Sequence, residues 1–138
     1  MKLLKSLVLV GVVAGGAAFA DTPREELMKS FGAAAKTLGQ MAGGDVAYDQ
    51  AAAEAAKLAL VEGAGKIAAT FEAPPAEGEE TESKPEIWTN WADFVAKGDA
   101  LKAAAEGMDV ASAEGIGAGM GAIGGTCKDC HTLYRAQN

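Results

Sequence analysis

The sequence predicts an all-α protein, an antiparallel four-helix bundle with up-down-up-down connectivity. Three observations carry this. Four segments between residues 22 and 134 place apolar residues at steps of four and three, the spacing of one helix face. Two of these segments open on a Ser or Thr followed by Pro and then Glu, a helix-start signature. No stretch alternates apolar and polar residues as a half-buried strand does, and no hairpin dipeptide or internal repeat interrupts the pattern. Four amphipathic helices of this kind bury their stripes most simply against one another.

The elements follow in order. Residues 1–20 are expected to be a cleaved secretory signal peptide: Lys2 and Lys5, an apolar run from Leu7 to Ala18, then the small-residue pattern Ala18-Phe19-Ala20 ahead of Asp21. The run is shorter than the ~20 residues a membrane span needs and has no basic stop-transfer flank. Residues 21–138 then form the bundle domain, exported to the periplasm and free of the membrane after cleavage. Thr22-Pro23-Arg24-Glu25 reads as a capping box, and Leu27, Phe31, Ala34, Leu38 and Met41 follow as one stripe that Gly43-Gly44 ends. Asp49 can cap a second helix with the stripe Ala51, Ala55, Leu58, Val61, Gly65 and Ala68.

From Glu72 to Lys84 the chain carries Pro74-Pro75 and the acidic residues Glu77, Glu79, Glu80 and Glu82 without apolar periodicity. This reads as a solvated connection between two helical hairpins. Ser83-Lys84-Pro85-Glu86 repeats the start signal for a third helix whose stripe runs Ile87, Trp91, Phe94, Gly98, Leu101, Ala105 and Met108. The last segment gives Ala113, Gly117, Met120, Gly124, Cys127, His131 and Tyr134. It also holds Gly115, Gly119, Gly121 and Gly125, each weakening a helix by about 1 kcal/mol relative to alanine. Such a helix needs something to pack on, and a flat macrocycle approaching the backbone is one use for the missing side chains.

Charge and composition narrow the function. Loss of Lys2 and Lys5 leaves 10 of the 12 basic residues against 19 acidic ones, a formal charge of −9, which makes nucleic acid an improbable partner. Negative charge keeps a protein soluble and steers it toward basic patches on a partner.

Cys127-Lys128-Asp129-Cys130-His131 is the haem-attachment signature. Two thiols within one helical turn can both add to the vinyl groups of one porphyrin, and the adjacent histidine is then held beneath the iron as proximal ligand. One covalent haem c, with its iron, is the expected cofactor. Zinc would need four ligands from Cys, His or carboxylate, and beyond Cys127, Cys130 and His131 the chain has no further Cys or His. A redox dithiol of the thioredoxin kind needs a βαβ context, and a disulfide across this spacing closes too small a loop to stabilise much.

With that signature at the C-terminal end of four helices, the sequence resembles the class II cytochromes c, the cytochrome c′ family. The likeness covers essentially the whole chain after residue 20. It rests on Cys127 to His131 followed by Tyr134-Arg135, on Lys84-Pro85-Glu86-Ile87-Trp88, on Tyr48-Asp49, and on Arg24 and Met28 four apart in the first helix. The glycine-heavy last helix and the long acidic connection depart from the family pattern. The resemblance implies that Arg24 pairs with a haem propionate, that Met28 faces the distal side of the iron, and that Arg135 lies near the proximal histidine. It also implies one of two functions. In the low-spin members a methionine ligates iron and the protein carries electrons to periplasmic redox partners. In cytochrome c′ proper the iron is five-coordinate and binds nitric oxide or carbon monoxide. The run Leu27-Met28-Lys29 is similar to the low-spin members, which favours His131/Met28 ligation. An enzyme is not expected, because a peroxidase needs a distal acid-base group and the single histidine is already used. Whether two bundles pair into a homodimer stays open at this stage.

Overall fold

Asp21, Thr22 and Pro23 begin the part of the chain that the computed structural model describes, residues 21–137. The expected signal peptide lies outside the described residues. Five helices follow: α1 (Pro23–Gly43), α2 (Gln50–Phe71), the single turn α3 (Glu86–Thr89), α4 (Trp91–Gly107) and α5 (Ala113–Tyr134). The four long helices pack as a ring, α1 on α2, α2 on α4, α4 on α5 and α5 back on α1, which is an up-down-up-down bundle.

The predicted caps of the first two helices form. Thr22 Oγ1 accepts from Glu25 N–H at 3.3 Å while the Glu25 carboxylate accepts from Thr22 N–H at 2.7 Å, a reciprocal capping box. Gly44 ends α1 in the left-handed region at φ 76°, where a side chain is disfavoured. Asp49 accepts from Ala52 N–H at 2.7 Å and starts α2. The stripe of α1 points inward as expected, with Phe31, Ala34, Leu38 and Met41 buried.

Three expectations need correction. On α2 the buried face is Ala53, Ala56, Leu60, Gly63, Ala64, Ile67 and Phe71, and the predicted Leu58 is 54% exposed. Alanine lies on both sides of this helix, so small residues do not discriminate faces; the bulky Leu60, Ile67 and Phe71 do. The third helix is interrupted at Asn90 (φ −121°, ψ 42°), and Ser83 caps nothing. The residue before a proline is pushed out of the helical region, so Lys84 stays extended ahead of Pro85. Ser83 instead forms an isolated antiparallel bridge with Arg135. On α5 the buried residues are Ile116, Ile123 and Tyr134, whereas Gly117 and Gly124 face outward.

The largest fully buried side chains, Leu38, Leu60, Ile87, Ile116 and Ile123, come from α1, α2, α3 and α5. Close approach needs glycine at Gly63, where a Cβ would meet Phe31 Cε1 at 2.4 Å. At one end of the bundle Tyr48 Oη donates to Val110 O and Lys57 Nζ to Met108 O. At the other end Phe94 sits 5.3 Å from Phe71 and 5.3 Å, edge-on, from Tyr134, centroid to centroid.

Candidate functional site

A cavity of about 530 Å³ opens between the start of α1 and the last turns of α5. Its origin lies in helical spacing. Cys127, Cys130 and His131 stand at i, i+3 and i+4, one face of α5, and all three line the cavity. Arg24 and Met28, one turn apart on α1, line it too, followed by Phe31 and Ala35. Phe71 from α2, Ile87 from α3 and Phe94 and Leu101 from α4 close its apolar wall. The structure therefore gathers Arg24, Met28, Cys127, Cys130, His131 and Arg135 around one space, from residues more than a hundred positions apart in the chain.

The α5 glycines do not share in this. A Cβ on Gly115 would meet Asp109 at 2.9 Å and one on Gly119 would meet Met108 at 2.8 Å, so these two let the α4–α5 corner approach. Gly121, Gly124 and Gly125 have nothing within 4 Å and lie outside the cavity wall. The expectation that the glycines face a macrocycle is not met.

Both thiols are free and half-buried. Burial pushes the Cys127 thiol up, and burial together with the neighbouring Cys127 pushes Cys130 to about 11. At neutral pH both are protonated, the opposite of the depressed thiols of redox and nucleophilic sites. His131 is shifted the other way: burial first, and then the Arg135 charge, hold its imidazole below the usual range, with Glu82 partly opposing. A neutral imidazole keeps a ring-nitrogen lone pair available as a ligand.

Arg24 is held by several groups at once. Its Nη2 donates to Ala73 O at 2.5 Å, its guanidinium lies 5.5 Å from the ring centroids of both Phe71 and Trp88, and Nη1 is 3.5 Å from Glu79 Oε1. Trp88 is fixed in turn, since its Nε1 donates to Phe71 O at 2.9 Å. Nη1 is buried and, although Glu79 is within ion-pair distance, makes no hydrogen bond, so it has a donor to spare. On the α5 side Arg135 Nε donates to Glu82 Oε2 at 2.7 Å, which holds the Glu82 carboxyl below its usual range. Tyr134 Oη donates to Asp93 Oδ2 at 2.5 Å. Sequence reading missed Glu79, Glu82, Trp88 and Asp93. Each acts across a long sequence separation, and nothing in its local pattern marks it.

The family model for Cytochrome C′ matches residues 21–135, nearly all of the described chain. The chain belongs to the cytochrome c′ family. A cytochrome c′ of Rhodopseudomonas palustris is 30% identical over 97% of this chain and 97% of that protein. A cytochrome c-556 of Agrobacterium tumefaciens is 34% identical over 81% of this chain and 90% of the relative. The solved structure of cytochrome c′ from Rhodopseudomonas palustris superposes with a TM-score of 0.73 at 30% identity, covering 83% of this chain and 94% of that one. The cofactor of this cytochrome is covalently bound haem c with its iron, and its function is electron transfer or gas binding. The residues present fit that group: two free thiols and a neutral imidazole on one wall, an apolar cavity, and a buried guanidinium nitrogen with no hydrogen-bond acceptor. No helix among the described residues is long and apolar enough to cross a membrane.

Proposed function

We propose that this protein is a periplasmic electron carrier whose haem is attached at Cys127 and Cys130 and whose iron is ligated by His131 and Met28. The observation that carries this is the presence of a Met28 thioether on α1 in the same cavity as His131 on α5. When bound, the haem supplies an iron that takes up and releases one electron. Cys127 and Cys130 anchor it so that it cannot dissociate. His131 would offer a neutral nitrogen to the metal, and Met28 a soft sulfur that would favour the reduced state. Arg24 Nη1 would pair with an acidic substituent of the group, while Phe31, Phe71 and Phe94 would pack against its apolar surface. A metal held by two protein ligands would change little between oxidation states, which would lower the reorganisation that electron transfer requires. The charge of −9 after loss of residues 1–20 suits a redox partner with a basic surface. No catalysis is assigned, because the single histidine is committed to the iron.

The five-coordinate alternative, in which Met28 only fills the pocket and nitric oxide or carbon monoxide binds the iron, is favoured by the cytochrome c′ relative named above. Met28→Ala separates the two. For an electron carrier the substitution converts a low-spin absorption spectrum to a high-spin one, lowers the reduction potential, and opens the reduced protein to rapid carbon monoxide binding. A parent protein that is already high-spin, with neither spectrum nor potential altered by Met28→Ala, makes the gas-binding reading the correct one.

A further inference from the structure

The acidic connection between α2 and α3 enters the cavity wall through Glu80, Thr81, Glu82 and Ser83. It is fastened there by backbone pairing. Lys84 N–H donates to Tyr134 O at 2.9 Å and Ala136 N–H donates to Glu82 O at 2.7 Å, the two bonds that flank the Ser83–Arg135 bridge. This sets the register of the connection against the end of α5 and brings the Glu82 carboxylate to Arg135 Nε. Both side chains are half exposed, and an ion pair of that kind contributes little to stability. Its position is what matters. Arg135 lies one helical turn after His131, its N–H donates to His131 O at 3.1 Å, and Glu82, His131 and Arg135 line the same cavity.

The two side chains bring charges of opposite sign to the wall that His131 shares. A cation beside an iron ligand favours the reduced metal, which carries less positive charge, and an anion favours the oxidised metal. Charges in the wall of a cavity are screened less than charges in open solvent.

We propose that Glu82 is a positioning residue for the haem of this protein: it fixes the Arg135 guanidinium beside His131, offsets its charge, and so holds the reduction potential below the value Arg135 alone would set. This rests on His131 as the iron ligand. The connection, exposed over most of its length as expected, is also the segment that delivers the compensating charge.

The test is a redox titration, followed by absorption, of the holoprotein and its variants. Glu82→Gln raises the potential, and by more than Glu77→Gln, which removes the same charge from a part of the connection outside the cavity wall. Glu82→Asp keeps the carboxylate and stays nearer to the parent. Arg135→Gln lowers the potential, and the double variant of Glu82→Gln with Arg135→Gln returns toward the parent. Hydrogen exchange at the Lys84 and Ala136 amides reports whether the backbone bridge survives; if Glu82→Gln breaks it, the decision falls to the Glu82→Asp and Arg135→Gln proteins. Equal shifts for Glu82→Gln and Glu77→Gln, or an Arg135→Gln protein with unchanged potential, overturn the role of Glu82. The underlying ligation is judged separately: a His131→Ala protein with the parent's spectrum would overturn that reading, whereas the outcomes above leave it standing.

Discussion

Gly63 and Gly65 lie on the same helix and respond in opposite directions to the same change. At Gly63 an added methyl meets the ring of buried Phe31 at 2.4 Å. Overpacking of this severity costs about 1–3 kcal/mol, against a gain of about 1 kcal/mol in helix propensity. Gly63→Ala is therefore expected to destabilise the holoprotein by up to about 2 kcal/mol. It should also perturb the haem spectrum, because Phe31 is in the cavity wall. Gly65 has nothing within 4 Å, so Gly65→Ala should stabilise by up to about 1 kcal/mol. Denaturant unfolding of the two variants checks both, and equal effects of the same sign would contradict the packing account. The contrast also shows which residues a sequence reveals. Cys127, Cys130 and His131 are legible because their chemistry is contained in one helical turn. Arg24 and Met28 carry no such local mark and are singled out only by likeness to a family. Glu82 and Trp88 could not be read, since their partners Arg135 and Arg24 lie 53 and 64 residues away.

At the scale of the element, α1 and the start of α2 were readable from their caps, Thr22, Glu25, Gly44 and Asp49, which are local hydrogen-bond devices. The start of the third helix was not. Ser83 and Glu86 have the right spacing, yet Ser83 is held by its bridge to Arg135, and a pairing between segments distant in sequence outweighs a cap worth about 1 kcal/mol. The faces of α2 and α5 were misjudged because alanine and glycine are nearly neutral markers of burial. The same end of the bundle makes a pH prediction. Tyr134, buried and bonded to Asp93, ionises at about 12, pushed up first by burial and then by that hydrogen bond, whereas an exposed tyrosine ionises near ~10. The folded-state value is the higher one, so this contribution to stability is complete below about pH 10 and is lost as pH rises toward 12. Unfolding measured across that interval should fall less steeply for Tyr134→Phe than for the parent. Identical alkaline slopes would show that the Tyr134–Asp93 contact does not resist ionisation.

For the whole molecule, the bundle class was legible because four long amphipathic segments admit few other arrangements, while the shape of the site was not, since it depends on which helices become neighbours. The cavity is walled by apolar side chains from all four long helices, and its filling is part of the bundle's cohesion. Protein made without haem attachment should have reduced far-ultraviolet helicity and a shallow melt; native-like helicity with a cooperative transition would refute this. The adjacency of α1 and α5 has a kinetic side as well. Arg24 and Met28 emerge from synthesis well before Cys127 to Arg135, so the pocket cannot form until both ends of the bundle have been made. Bringing its halves together is a long-range closure, the slow kind of step in folding. A haem tethered to α5 presents its apolar face to α1 at a high effective concentration. The thioether links of the proposed attachment would then do more than retain the cofactor: they would make the pigment a piece of the polypeptide's own folding nucleus, joining the first helix to the last.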